Sequence, residues 1–196
     1  MKPAIKNQLM MKNLFSFCLF FILLGCSQRE EEPQTDILPA LTEIGANTAG
    51  VIIEEFVLVP KDGINQSYGG PGIIKGLNVT LGSTFIESKG NDSFSLALKN
   101  VPLKNGFTFF MDIGILNRTG DYFTEDYPKW PQIYVQKIVE GNSVKKFYAK
   151  KNSCKVTLRK LDFESGIISG TFSGELYDDD GNKITLKDGR FDIKIK

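Results

Sequence analysis

The chain has 196 residues with 24 basic and 23 acidic side chains, so its charge is close to balanced and no polyanionic partner such as nucleic acid is implied. It contains no histidine. That excludes Ser-His-Asp and Cys-His catalysis, histidine-based zinc sites and the commonest general base at neutral pH.

The first element is an address. Met11, Lys12 and Asn13 give a short basic start, although Met1 and Met11 are both eligible initiators, and the run from Leu14 to Leu24 is apolar. Such a run suits the hydrophobic region of a signal peptide but is too short to span a bilayer. Leu23-Leu24-Gly25-Cys26 resembles the lipobox of bacterial lipoproteins. The resemblance implies that residues 1–25 are a signal peptide, that Cys26 is alkylated with diacylglycerol, and that the new amino terminus is acylated after cleavage. Two or three acyl chains satisfy the requirement for stable anchoring, since each buried methylene contributes roughly 0.8 kcal/mol. The expected membrane partner is therefore a bilayer reached through Cys26.

Cleavage would remove Lys2, Lys6 and Lys12 and no acid, which turns the mature charge to −2. Cys18 would go with the signal peptide and Cys26 would carry lipid, so Cys154 remains the sole thiol and no intramolecular disulfide is expected. Stability must then come from the core. After Cys26, Ser27 to Pro33 is acidic and poor in apolar residues, and residues 26–40 read as a flexible tether that holds the domain about 20 to 25 Å from the bilayer. Glu30 to Glu32 behind the lipidated cysteine resembles the surface-export signal of Bacteroidota lipoproteins, which implies an outer-membrane protein facing the cell exterior.

Residues 41–196 read as a single β domain. Val51 to Val59 is apolar except at Glu54-Glu55 and ends at Pro60, as expected of a strand covered on both faces. Gly63 falls in the loop beyond, and Ser67 to Gly72 reads as a loop rather than a phosphate cradle, because no Gly-Lys-Ser/Thr follows. Leu77, Val79 and Leu81, then residues 82–88, then Phe94, Leu96 and Leu98, continue the strand signal. Phe107, Phe109, Met111, Ile113 and Ile115 alternate with period two, so all five are expected to point inward. Ile133 to Val139, Val144 to Ala149 and Cys154 to Leu161 follow, with Gly141-Asn142 as a hairpin turn. Near the end, Ile168, Gly170, Phe172, Gly174 and Leu176 form one inward row, and Ile184 and Leu186, then Phe191, Ile193 and Ile195, form another. Inward parity changes across Lys187-Asp188-Gly189-Arg190, as either a bulge with Gly189 at positive φ or a true turn would produce; the bulge is favoured because no second alternating strand is left to pair with. The fold class is thus all-β: an antiparallel β-sandwich, or a curled, barrel-like sheet.

Leu161-Asp162, Gly166 to Phe172 and Asp188-Gly189-Arg190-Phe191-Asp192-Ile193 resemble the closing segment of a family of small Bacteroidota lipoproteins, a domain of unknown function. Leu38 to Thr48, followed by Val57 to Pro60, resembles its opening. In this chain Gly50 to Glu55 replaces the cysteine and polar turn that such proteins often carry there. The resemblance implies a location and a fold and assigns no catalytic residue.

The residues available for chemistry are few. Asp178-Asp179-Asp180-Gly181-Asn182 lacks the spacing of a calcium loop and reads as a hairpin tip, so no metal site and no cofactor are expected. Lys145, Lys146, Lys150, Lys151, Lys155, Arg159 and Lys160 sit on strands, where neighbours point to opposite faces, and read as solvated positions and edge protection. Cys154 alternates with Val156 and Leu158 as a small core residue. Asp112, Glu125 and Asp126 could serve glycan hydrolysis only if two of them came within about 5 to 5.5 Å, and the chain is read as a non-enzyme. The segment from Gly120 to Tyr134 holds the only tryptophan and several tyrosines, and Pro128 and Pro131 keep it from forming a regular central strand. Its aromatics either fold back as a lid over the domain or stand out as a stacking platform. In the second case Tyr122, Tyr127, Trp130, Tyr134 and Asp126 are the ligand-binding residues. The expected function is a non-catalytic binding module for a glycan, peptide or envelope protein; a structural subunit of an outer-membrane assembly is the alternative, and a carboxylate-dependent glycan hydrolase comes third.

Overall fold

The computed structural model describes residues 36–65, 72–83, 92–102, 106–126, 129–139 and 143–195. Twelve strands run through them: β1 (Thr48–Ile53), β2 (Phe56–Leu58), β3 (Gly63–Asn65), β4 (Gly72–Ile74), β5 (Leu77–Ser83), β6 (Asp92–Lys99), β7 (Phe107–Ile115), β8 (Gly120–Phe123), β9 (Gln132–Ile138), β10 (Val144–Asp162), β11 (Ile167–Tyr177) and β12 (Lys183–Lys194). Ten of them make one antiparallel sheet in the order β2-β1-β12-β11-β10-β9-β7-β6-β5, with β8 on a second stretch of β10, and β3 and β4 form a separate hairpin. No helix occurs among the described residues.

The sheet curls into a half-barrel, so the all-β expectation is met in its curled form. The aromatic rings show why the curl is stable. Phe94 of β6 stacks on Phe191 of β12 with centroids 5.5 Å apart, although four strands separate theirs in the sheet, and Phe109 of β7 stacks on Phe172 of β11 at 4.7 Å. Strand spacing is about 4.8 Å, so only a strongly rolled sheet brings such residues together. The concave face holds the core, with Val51, Leu58, Leu96, Leu98, Met111, Val135, Val156 and Leu186 all buried.

Local irregularities set the register. Between Gly50 and Ile52 of β1, two steps are matched by three on β12, and the same surplus appears against β11 between Phe172 and Gly174. The bulge predicted over Lys187–Arg190 is therefore present, and it restores Phe191 and Ile193 to the core after Ile184 and Leu186. Its left-handed residue is Asp188 (φ 51), not Gly189. Gly189 is required for another reason: a Cβ there would lie 2.6 Å from the Phe172 carbonyl oxygen and would also strike the Phe172 ring.

Four further expectations are corrected. Val51 to Val59 is not one strand but a hairpin, because Glu54 (φ 57) and Glu55 turn the chain between Ile53 and its partner Phe56. A second bulge at Ile113-Gly114, with Gly114 at φ 74, reverses the alternation of β7, so Ile115 is exposed and Leu116 takes the buried place. Gly63 lies not in a permissive loop but in β3, where a Cβ would collide with Val101. The tether read over residues 26–40 ends early, since Asp36 pairs with Lys61 at 2.6 Å and Leu38 and Pro39 pack against Gly50. Residues 66–71, 84–91 and 140–142, and with them the Gly141-Asn142 turn, lie outside the described residues, as do Cys26 and the signal segment.

The opening and closing segments of the domain are joined physically. The Asp192 carboxylate, almost wholly buried, accepts hydrogen bonds from the Thr42 hydroxyl (2.6 Å) and from the backbone N–H groups of Ile44, Gly45 and Ala46 (2.8 to 3.2 Å). Gly45 (φ 75) and Asn47 (φ 55) supply the left-handed turns, and the Asn47 side-chain carbonyl accepts the N–H of Lys194. Residues 36–47 thus form a strap laid over β12.

Candidate functional site

The described part of the segment from Gly120 to Tyr134 is more regular than its prolines suggest. Gly120–Phe123 is strand β8, paired with β10, and Thr124 then plugs a wide bulge in β10 between Ala149 and Cys154. The fully buried Thr124 hydroxyl donates to the Lys150 carbonyl at 2.8 Å and accepts the Cys154 N–H at 3.0 Å, while its backbone bonds Cys154 and Asn152. The loop is thereby fixed at its root. Cys154 itself is buried, and burial pushes its thiol up to about 11, which makes it a poor nucleophile.

The sequence-derived site residues do not form one constellation. Tyr122 packs on the concave side against the core, donates its hydroxyl to the Arg118 carbonyl at 2.8 Å and has the Arg118 guanidinium 5.1 Å from its ring centre. Tyr134 stands on the opposite, convex face, since its neighbours Ile133 and Val135 are buried. Asp126 is exposed and accepts the Lys151 N–H at 3.0 Å. Tyr127 lies outside the described residues. Trp130 is 60% exposed, so it is displayed rather than folded over the core. Its Cβ sits 3.1 Å from the position a Cβ on Gly114 would occupy, so the bulge glycine that reverses β7 also leaves room for the indole. Beside it, Gln132 pairs across the strands with Asp112, whose carboxylate accepts the Gly114 N–H at 3.0 Å.

Sequence reasoning missed a row that the strand register builds on the convex face. Phe110, Tyr134, Tyr148 and Tyr177 are direct cross-strand partners on β7, β9, β10 and β11. Phe110 stacks on Tyr134 at 4.6 Å with 11° between the planes, Tyr134 meets Tyr148 at 5.7 Å, and the Lys150 ammonium lies 4.3 Å from the Tyr177 ring centre. Burial, then Tyr148, then Asp112 raise the Tyr134 phenol above its ordinary range. The signal was an aromatic at the outward parity of an alternating strand, as in Phe109-Phe110-Met111 and Phe147-Tyr148-Ala149. Rings stacked in this way turn their faces to one another and their edges to water, so the row stabilises the sheet and presents less face than the single exposed indole.

The acidic hairpin tip and much of the basic run form local pairs. Among the described residues no cluster could hold a metal ion. Asp178 closes its hairpin tip by accepting the backbone and side-chain N–H groups of Asn182 and pairs with Lys145 at 2.6 Å; the Lys145 bond first, then those from Asn182, outweigh burial and hold its carboxyl down at about 2. Lys151, Lys155 and Arg159 face Glu125, Asp121 and Glu43 respectively, so the basic run is a set of surface pairs. Comparison with protein-family models, with curated proteins and with solved structures finds no match.

Proposed function

We propose that this chain is an outer-membrane lipoprotein, anchored through acylated Cys26 and facing the cell exterior, whose β domain is a non-catalytic binding module for a glycan, peptide or envelope protein. The observation that supports the reading is the exposed Trp130, held over Gly114 by a loop that Thr124 pins to β10. A large apolar surface kept in water by a rigid root is what a stacking ligand needs, because binding then orders little protein. Gln132 and Asp112 beside it offer hydrogen-bond partners for hydroxyl or amide groups.

The test is a glycan and peptide array probed with the lipidated chain in detergent. Binding that disappears in Trp130→Ala, with an unchanged melting temperature, supports the module; retained binding removes Trp130 from the site. The anchor is tested separately by Cys26→Ala, which should move the protein out of the detergent phase of a Triton X-114 partition, and exposure by protease shaving of intact cells.

A second reading, an accessory subunit of an outer-membrane assembly, draws on a different feature. Ile64 and Ile73 are cross-strand partners on the β3–β4 hairpin and are 71% and 72% exposed, an apolar pair suited to a protein neighbour. A partner that cross-links at Ile64 would favour it.

A further inference from the structure

A groove of about 350 Å³ lies on the convex face of β10, β11 and β12, where the strap passes the bulge. Its concavity follows from side-chain size. The outward positions in the middle of β11 are Thr171 and Ser173, while longer side chains flank them, Lys155 on β10 and Arg190 on β12, and Leu41 of the strap closes one side. Thr157, Thr171 and Arg190 are direct cross-strand partners in one row, and Lys155 and Ser173 stand opposite each other in the next.

The bonding in this groove is unfinished. Arg190 donates its Nε to the Asp188 carbonyl (3.1 Å) and its Nη1 to the Pro39 carbonyl (3.4 Å), so neutral groups hold it in place, and among the described residues it forms no ion pair with a carboxylate. Among the described residues the Lys155 ammonium pairs with one carboxylate, Asp121 at 3.6 Å, whose other oxygen accepts the Thr157 hydroxyl at 2.6 Å. Among the described residues nothing hydrogen-bonds the hydroxyls of Thr171 and Ser173. Of the charged residues that line the groove, two are cations, Lys155 and Arg190, and one is an anion, Asp188. A pre-positioned guanidinium, an ammonium and two free hydroxyls on a flat strand floor are the donors that an oxyanion with adjacent hydroxyls requires. The volume is at the small end of ligand sites, which run roughly from 300 to 1,000 Å³, and fits one sugar-sized unit.

We propose that this groove binds an oxyanion-bearing unit, a carboxylated or sulfated sugar, with its oxyanion between Arg190 and Lys155 and its hydroxyls on Thr171 and Ser173. The site is separate from Trp130 and does not rest on the function proposed for it. Because Arg190 and Lys155 are half-exposed or exposed, the affinity falls as salt is raised.

The experiment is an amide NMR titration of the full chain in a detergent free of sugar and phosphate, at low salt, with D-glucuronate, D-glucose and inorganic sulfate as probes. Glucuronate should give saturating shifts at Thr171, Ser173 and Gly189, with glucose giving none. Arg190→Gln and Ser173→Leu should each weaken glucuronate by about tenfold or more. Ser173 is exposed and its hydroxyl makes no hydrogen bond among the described residues, so Ser173→Leu fills the groove without unfolding the sheet, and Trp130→Ala should leave the titration unchanged. Sulfate binding as well as glucuronate would keep the oxyanion site and assign it to a free anion. Equal binding of glucose, shifts indifferent to both groove substitutions, or no saturable shift with any probe would overturn the proposal.

Discussion

The concave and convex faces of this sheet both carry stacked aromatic rings, yet they use them differently. On the concave face, Phe94 reaches Phe191 and Phe109 reaches Phe172 across strands that are far apart in the sheet order. On the convex face, Phe110, Tyr134 and Tyr148 touch only the strand next door. The cause is curvature. Rolling a sheet makes side chains converge inside and diverge outside, so an inner ring joins distant parts of the chain, whereas an outer ring reports only its local register.

The sharpest way to break that comparison is to truncate one ring on each face. Phe191→Ala should cost about 3 to 5 kcal/mol in a denaturant melt, because it opens a cavity shared by β6, β11 and β12. Tyr134→Ala should cost only about 0.5 to 1.5 kcal/mol, the value of the pairwise stacking that the convex face provides. Equal losses would mean that the outer row, too, holds distant strands together.

The strap adds a polar counterpart to these apolar contacts. Asp192→Asn should lose about 2 to 3 kcal/mol, since a charged acceptor of four hydrogen bonds becomes a neutral one that takes fewer. Burial by itself raises the Asp192 pKa, but the bonds from Thr42, Ala46, Gly45 and Ile44 outweigh it and hold the folded value below the ordinary 3.8. The stabilisation is therefore complete above that ordinary value and fades as pH falls through the lowered folded one. The melting temperature should drop more steeply as pH falls below the ordinary aspartate range in the native chain than in Asp192→Asn, as thermal melts across that range would read.

Close approach at the bulge gives a smaller contrast. Gly189→Ala forces the Phe172 ring and carbonyl to move and should cost about 1 to 3 kcal/mol. Gly72→Ala, with nothing within 4 Å of the new carbon, should stay within about 0.5 kcal/mol. The smallest expected effect is at the exposed indole: Trp130→Ala should change stability by less than about 1 kcal/mol, since 60% of the residue already faces water. A loss as large as that of Phe191→Ala would show the indole to be a structural lid.

Alternation alone made most of the core legible. Phe94, Leu96 and Leu98, Ile168 and Phe172, and Ile184, Leu186, Phe191 and Ile193 are buried where period two puts them. It failed at Ile115, because one extra residue at Gly114 reversed the face of everything after it, and at Glu54-Glu55, where a charged pair inside an apolar run marked a turn. The candidate site was legible only as composition. The segment rich in aromatics was visible, but Tyr122 and Tyr134 went to opposite faces because β8 and β9 join β10 at different stretches.

By itself the sequence determined the class of the fold, the parity of its strands and the position of the β12 bulge, because these depend on the two-residue repeat of an extended backbone and on neighbours along the chain. Only the tertiary structure decided which strands pair, that Asp188 and not Gly189 takes the left-handed conformation, that Asp192 clasps residues 42–46, and that Thr171, Ser173 and Arg190 share a groove. Those outcomes join residues that the chain keeps as much as 150 positions apart, as with Thr42 and Asp192. Their physical cause is the curl of the sheet and the competition for its few unpaired donors, which no local pattern of residues encodes.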